Sequence, residues 1–213
     1  TRLVALQSQM NPHFIFNALN SIQELYTIGD KKTANEQMAN FETLTRKILD
    51  VSGKQKIDLV DEIDILTKYL ELEGIRFEND FSYQINLSDD IDEDYTQLPP
   101  MLIQPYVENA IKHGLLHKTG AKNLTISFNV NQKFLEILIA DNGIGRKKSE
   151  ELKKLRKNPH QSFATEAMQK KIDLLNKHKI SKISIEIIDE YSVQNIAQGT
   201  TVFFKIPLDF YYT

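Results

Sequence analysis

The spacing of apolar residues changes character along this chain, from a helical period to strict alternation and back. From residue 1 to about 28 apolar positions recur at helical intervals: Leu3, Leu6, Met10 and Phe14, then beyond Pro12 Ile15, Leu19, Ile22 and Tyr26. Proline removes a backbone donor and crowds the preceding turn, so the register change predicts one helix, kinked at Pro12 and ended by Gly29-Asp30. Thr33-Ala34-Asn35-Glu36 has the form of a capping box and predicts a second helix bearing Met38, Phe41, Leu44, Ile48 and Val51 on one face. Two helices joined by so short a turn form an antiparallel hairpin. Its uncovered apolar faces either pair with a second copy, as a four-helix bundle, or pack on the C-terminal part of the same chain.

A polar break at 53–58 precedes a third predicted helix over 61–77, with Ile63, Leu66 and Leu70 repeating. From Ser82 the period becomes two: Tyr83, Ile85 and Leu87 alternate with polar residues, which predicts a strand. An acidic turn at 89–94 and Pro99-Pro100 lead into another helix. Strands are expected at 124–130 and 134–140, joined at Asn131-Gln132. Residues 146–161 are charged without a firm apolar stripe, the composition of a mobile lid. A helix over 163–179, with Ala167, Ile172, Leu174 and Leu175 apolar, and strands at 182–188 and 200–206 complete the pattern. The fold class is α+β: a helical hairpin over 1–57, then an α/β sandwich over 58–213 with a mixed sheet covered by helices on one face.

Composition adds little. The 41% apolar and 26% charged content is that of an ordinary globular protein, and a net charge of −3 gives no reason to expect direct nucleic-acid binding. With no cysteine there is no disulfide framework and no thiolate chemistry, which fits a reducing cytoplasm. No apolar run approaches the ~18 residues that span a bilayer. The chain begins inside a helical pattern with no start methionine, so we expect a fragment that has lost an N-terminal part.

Three segments carry candidate chemistry. In the first helix His13 follows Pro12, with Gln9 and Asn17 one turn away on either side. A neutral imidazole is a nucleophile near pH 7, and a solvated histidine on an ordinary amphipathic helix is the plainer reading. In the helix after Pro100, Ile103, Val107, Ala110 and Ile111 can face a sheet, which leaves Glu108, Asn109, Lys112 and His113 on the other side. An amide oxygen suits Mg2+ held between phosphates, and a lysine one turn on offsets their charge; a merely solvated face has the same look. Asp141 ends an apolar strand, and Gly143 and Gly145 follow it. A carboxylate there can accept a bond from an exocyclic amine, while glycines let the backbone approach a flat ring closely. Asn142-Gly143 is also a hairpin signal, but Arg146-Lys147-Lys148-Ser149 is no returning strand.

The segment LQSQMNPHFIFNALNS, residues 6–21, resembles the phosphoacceptor region of sensor histidine kinases with an NPHF signature, the autolysis-sensor-like family. PYVENAIKHG resembles that family's ATP-binding asparagine box, and Asp141-Asn142-Gly143-Ile144-Gly145 its first glycine box. Gly199-Thr200 resembles the Gly-Thr segment near adenine in the wider superfamily of gyrase, Hsp90 and histidine kinases. The resemblance runs over nearly the whole chain, in the family's order. It implies a hairpin that dimerises and carries the phosphorylated His13, followed by an ATP-binding catalytic domain. By resemblance Asn109 is the magnesium ligand, Lys112 a phosphate contact and His113 a polar wall of the nucleotide site. Asp141 would read adenine, Gly143 and Gly145 would shape the pocket, and Thr200 would support the base. The implied cofactors are ATP and Mg2+. The implied partners are a second copy and a response regulator with a receiver domain. The implied location is the cytoplasmic side of a membrane sensor whose N-terminal region lies outside this chain.

The departures matter. Gyrase- and Hsp90-type relatives place a catalytic glutamate four residues before the magnesium asparagine, where this chain has Pro105, so water activation is poorly supported. The acidic residue that follows the histidine in many kinases is Phe14 here, and Ser162-Phe163-Ala164-Thr165 stands where a glycine-rich lid hinge is often found. Beside the kinase reading stand a nucleotide-binding scaffold that relays sensor state without phosphorylating itself and, with less support, a gyrase- or Hsp90-like ATPase.

Overall fold

The computed structural model describes residues 12–77, 80–155 and 162–211. They form two compact units, one of residues 1–81 and 93–102, the other of 82–92 and 103–213.

The first unit holds α1 (Pro12–Thr27), α2 (Lys31–Val51) and α3 (Leu59–Gly74), with a two-stranded ribbon of β1 (Ile57–Asp58) and β3 (Gln97–Leu98). The expected hairpin is present. Its second helix opens earlier than the capping-box pattern predicted, because the Asp30 side chain accepts the Thr33 N–H at 3.2 Å. Phe14, Ala18 and Ile22, four residues apart, are the buried line of α1, whereas Leu19 and Tyr26 of the expected stripe are exposed. Leu3, Leu6, Gln9 and Met10, and with them the expected kink, lie outside the described residues. On α2 Leu44, Ile48 and Val51 are buried, and Met38 is exposed.

α3 packs against the hairpin. The Phe14 ring lies 4.7 Å from that of Tyr69, and Lys47 of α2 reaches Asp64 of α3 at 2.7 Å. Ile65, Leu66, Tyr69, Leu70 and Leu72 are all buried, a wider face than the expected repeat. Part of the hairpin's apolar surface is therefore covered within the chain. The polar break hides β1, whose two residues pair with Gln97 and Leu98 some forty positions on.

The second unit is built on a five-stranded sheet in the order β2-β4-β5-β7-β6. Its strands are β2 (Phe81–Leu87), β4 (Lys122–Asn131), β5 (Phe134–Asp141), β6 (Ser184–Tyr191) and β7 (Ala197–Pro207). β4, β5, β7 and β6 are antiparallel neighbours. β2 runs the same way as β4, since Ser82 bonds Asn123 and Ser88 bonds Phe128, so the sheet is mixed as expected.

Alternation decides the covered face: Leu124, Ile126, Phe128, Leu135, Ile137, Ile139, Val202, Phe204 and Ile206 are buried. α4 (Gln104–Asn109) packs there, with Tyr106 edge-on to Phe204 at 5.0 Å, and continues as a π-helical segment, Ala110–Leu115. α5 (Arg146–Leu155) occupies the first part of the stretch expected to be a lid, and residues 156–161 lie outside the described set. α6 (Ser162–Leu175) buries Ile172, while Leu174, expected on its apolar side, is 71% exposed.

Candidate functional site

Strand register brings one end of the covered face to a row of polar groups. Asp141 is opposite Thr200, and Thr200 is opposite Asp189, so the three side chains share a face just beyond the apolar layer of Ile139, Val202 and Ile187. Asp141 is buried, as the alternation of β5 requires of its last residue. Burial pushes its carboxyl up to about 6, against the opposing effect of the Gly143 and Thr200 backbone N–H groups and the Lys118 charge. The Gly143 N–H donates to Oδ1 at 2.8 Å, which turns the chain out of the strand.

The loop after Asp141 is pinned on both sides. Asn142 accepts the Asn123 N–H at 2.8 Å and donates to the Ala121 carbonyl at 3.1 Å, while the Ile144 N–H donates to the Gly114 carbonyl at 3.2 Å. A side chain at Gly143 would collide with the Gly114 backbone, and one at Gly199 with the Asp141 carbonyl oxygen. Gly145 has φ +76°, in the left-handed region that favours glycine. From there the chain enters α5, so Asn142-Gly143 is not a β-hairpin turn.

The helix side of the site follows the expected division. Ile103, Val107 and Ile111 are buried, and Glu108, Asn109, Lys112 and His113 are half-buried on the remaining face. Asn109 ends α4; Lys112 and His113 lie in the π-helical segment directly before Gly114, which touches the Asp141 loop. Isolated π-helical turns are often found at functional sites. The helix face and the carboxylate end of the sheet are therefore joined through Gly114. His13 belongs to the other unit, in the first turn of α1 directly before the buried Phe14.

The donor set suits a nucleotide. One buried carboxylate beside glycines offers an acceptor for an exocyclic amine, and Asn109 and Lys112 offer a neutral oxygen and a cation. Among the described residues no group of three or more His, Cys, Asp or Glu could hold a metal ion. A Mg2+ held here would thus share its shell with phosphate oxygens and water, as this ion commonly does.

The histidine kinase family model matches residues 1–81. Sensor protein LytS of Staphylococcus epidermidis is 33% identical over 141 residues, 66% of this chain and 23% of that protein. LytS of Oceanobacillus iheyensis is 31% identical over 206 residues, 95% of this chain and 34% of that protein. The chain belongs to the sensor histidine kinases. Sensor protein kinase HptS of Staphylococcus aureus is 28% identical over 97% of this chain and 38% of its own length. The kinase-family chain thus spans about a quarter to two fifths of the curated relatives it matches. A solved bacterial phosphotransferase shares the fold, with a TM-score of 0.52 at 10% identity, over 95% of this chain and 92% of that one.

Sequence reading missed three residues of this polar cluster. Asp189 sits at the polar end of the row and takes both prongs of Arg146, the first residue of α5, at 2.7 and 2.8 Å. A charged residue in step with Ile185 and Ile187 was the available signal. Gly114, the third, ends the asparagine-box segment, and nothing in its local sequence marks its contact with Asp141.

Proposed function

We propose that this chain is the kinase core of a sensor histidine kinase, which binds Mg-ATP in the second unit and transfers its γ-phosphoryl group to His13. The observation that carries the reading is the buried Asp141 at a strand end, clasped by Gly143 and facing Thr200, with the Asn109 helix joined to it through Gly114. Asp141 accepts the adenine amine; Lys112 contacts the phosphates, and His113 forms a polar wall of the nucleotide site. Asn109 would hold Mg2+ together with phosphate oxygens, and the ion would supply charge neutralisation on the transferring group. A ring nitrogen of neutral His13 forms the P–N bond as the bond to the β-bridging oxygen breaks. ADP leaves, and the other ring nitrogen releases its proton. Positioning supplies most of the acceleration.

Residues 1–57 serve as the phosphotransfer hairpin and residues 58–213 as the catalytic part. Phe16, Leu19 and Tyr26 on one exposed face of α1, and Met38 on α2, support pairing with a second copy. The phosphoryl group passes on to the receiver-domain aspartate of a response regulator. No helix among the described residues is long and apolar enough to cross a membrane, and attachment to one would come from sequence outside this chain.

Incubation with γ-labelled ATP tests the reading. Acid-labile, base-stable label on the protein, lost in His13→Gln with ATP affinity retained, is the expected result. Released phosphate alone would indicate an ATPase; ATP binding with neither label nor release would indicate a scaffold; persistent acid-labile label on His13→Gln would remove His13.

A further inference from the structure

Gly114 and Asp141 are 27 positions apart in the sequence and in contact in the fold. A methyl group built on Gly114 would fall 2.7 Å from Oδ1 of Asp141, 3.2 Å from its carboxyl carbon and 3.6 Å from Oδ2, the three atoms nearest to it. The sharpest clash is therefore with one side chain. Gly114 also accepts the Ile144 N–H through its carbonyl, and its α-carbon closes on Gly143. The same residue thus backs the carboxylate and anchors the loop that donates to it.

We infer that Gly114 is a positioning and specificity-determining residue: its bare α-carbon leaves room for the Asp141 carboxylate in the one orientation that lets it select an amino-bearing purine. This rests on the nucleotide reading above and adds to it the residue that sets base discrimination. The carboxylate is held from two directions. The Gly143 N–H fixes Oδ1, and the Gly114 α-carbon forms the wall behind it. A β-carbon at 114 would drive the carboxylate off its present rotamer or push the π-helical segment away from the loop. Either movement shifts the acceptor relative to the base.

The test compares ATP with ITP, which carries a carbonyl in place of the 6-amino group and so presents an acceptor, not a donor, at that position. In the parent chain ATP binds about 10-fold or more tighter than ITP, the discrimination expected of a buried, hydrogen-bonded polar site. Gly114→Ala should shrink that ratio toward one by weakening ATP selectively. Asp141→Ala removes the atoms nearest the new methyl, so Gly114→Ala added to it should leave the ratio unchanged and lower the unfolding midpoint by clearly less than it does in the parent. A double variant that folds when Gly114→Ala alone does not would be the same result in stronger form.

A Gly114→Ala protein that binds ATP and ITP in the parental ratio overturns the inference, whether or not both affinities drop. So does a midpoint loss of equal size with and without Asp141. A parent chain that binds no ATP overturns the nucleotide reading and the specificity role with it. The midpoints would then still report whether the two residues are coupled, so the two failures are told apart.

Discussion

Arg146 holds Asp189 in a two-pronged ion pair, Nε to Oδ1 at 2.7 Å and a terminal guanidinium nitrogen to Oδ2 at 2.8 Å, which fastens the first turn of α5 to the end of β6. That bond holds Asp189 below the usual carboxylate range. Because α5 begins directly after Gly145, the pair sets where the glycine loop leaves the sheet. Arg146→Ala should change stability by under about 1 kcal/mol, since the arginine is half exposed and solvent screens the pair. It should still weaken ATP binding, by roughly threefold to tenfold, because the loop loses its distal anchor. Urea unfolding and equilibrium titration would separate the two effects. An unchanged ATP affinity would confine the pair to a structural role.

Asn109→Ala should remove the magnesium-dependent part of ATP binding and leave the magnesium-free part. The amide is the one neutral oxygen on that helix face suited to the ion, and alanine preserves the helix. Titration with and without magnesium checks this. Equal affinities of variant and parent in magnesium would move the metal elsewhere.

Asp141→Asn should lower ATP affinity by roughly 10- to 150-fold, the range for loss of a buried hydrogen bond to a charged group, about 1.5–3 kcal/mol. The asparagine oxygen can still accept from Gly143, and its amide then faces the adenine amine as a donor. ADP should lose as much as ATP, because the contact is to the base. A loss confined to ATP would place Asp141 at the phosphates.

Stability should report the burial of the same carboxyl. Its folded pKa of about 6 lies above the ordinary 3.8, so the folded state binds the proton more tightly. The stabilisation is complete below about pH 4 and is lost as pH rises through 6, because the buried group must then ionise. Asp141→Asn carries no such cost. It should exceed the parent in stability at pH 8 by up to about 2–3 kcal/mol, with the advantage shrinking toward pH 4.5. Urea unfolding at the two pH values decides. A difference independent of pH would mean that the carboxyl does not titrate as a buried group.

The chain's local patterns were enough for the hairpin, the alternating strands and the side of the asparagine-box helix that is buried, because periodicity is a property of neighbours. Leu124, Ile126 and Phe128, or Ile103, Val107 and Ile111, declare their buried face whatever lies opposite. Local pattern also ended β5 at Asp141 and predicted that Asn142-Gly143 would not turn back as a strand. It erred where two local signals competed. Thr33 looked like the cap of α2, but Asp30 was free to reach its N–H and began the helix sooner.

Tertiary structure alone decided which distant residues meet. The β1–β3 ribbon, the Asp141–Thr200–Asp189 row, the Arg146–Asp189 pair and the Gly114–Asp141 contact each join positions tens of residues apart. Strand order and register choose these partners. A shift of one residue in β7 would face Thr201 where Thr200 stands and move the row to the other side of the sheet. The residue types needed for the chemistry were therefore legible in order along the chain. Their convergence came from long-range pairing, where the energy of a contact depends on a neighbour that the local sequence does not contain.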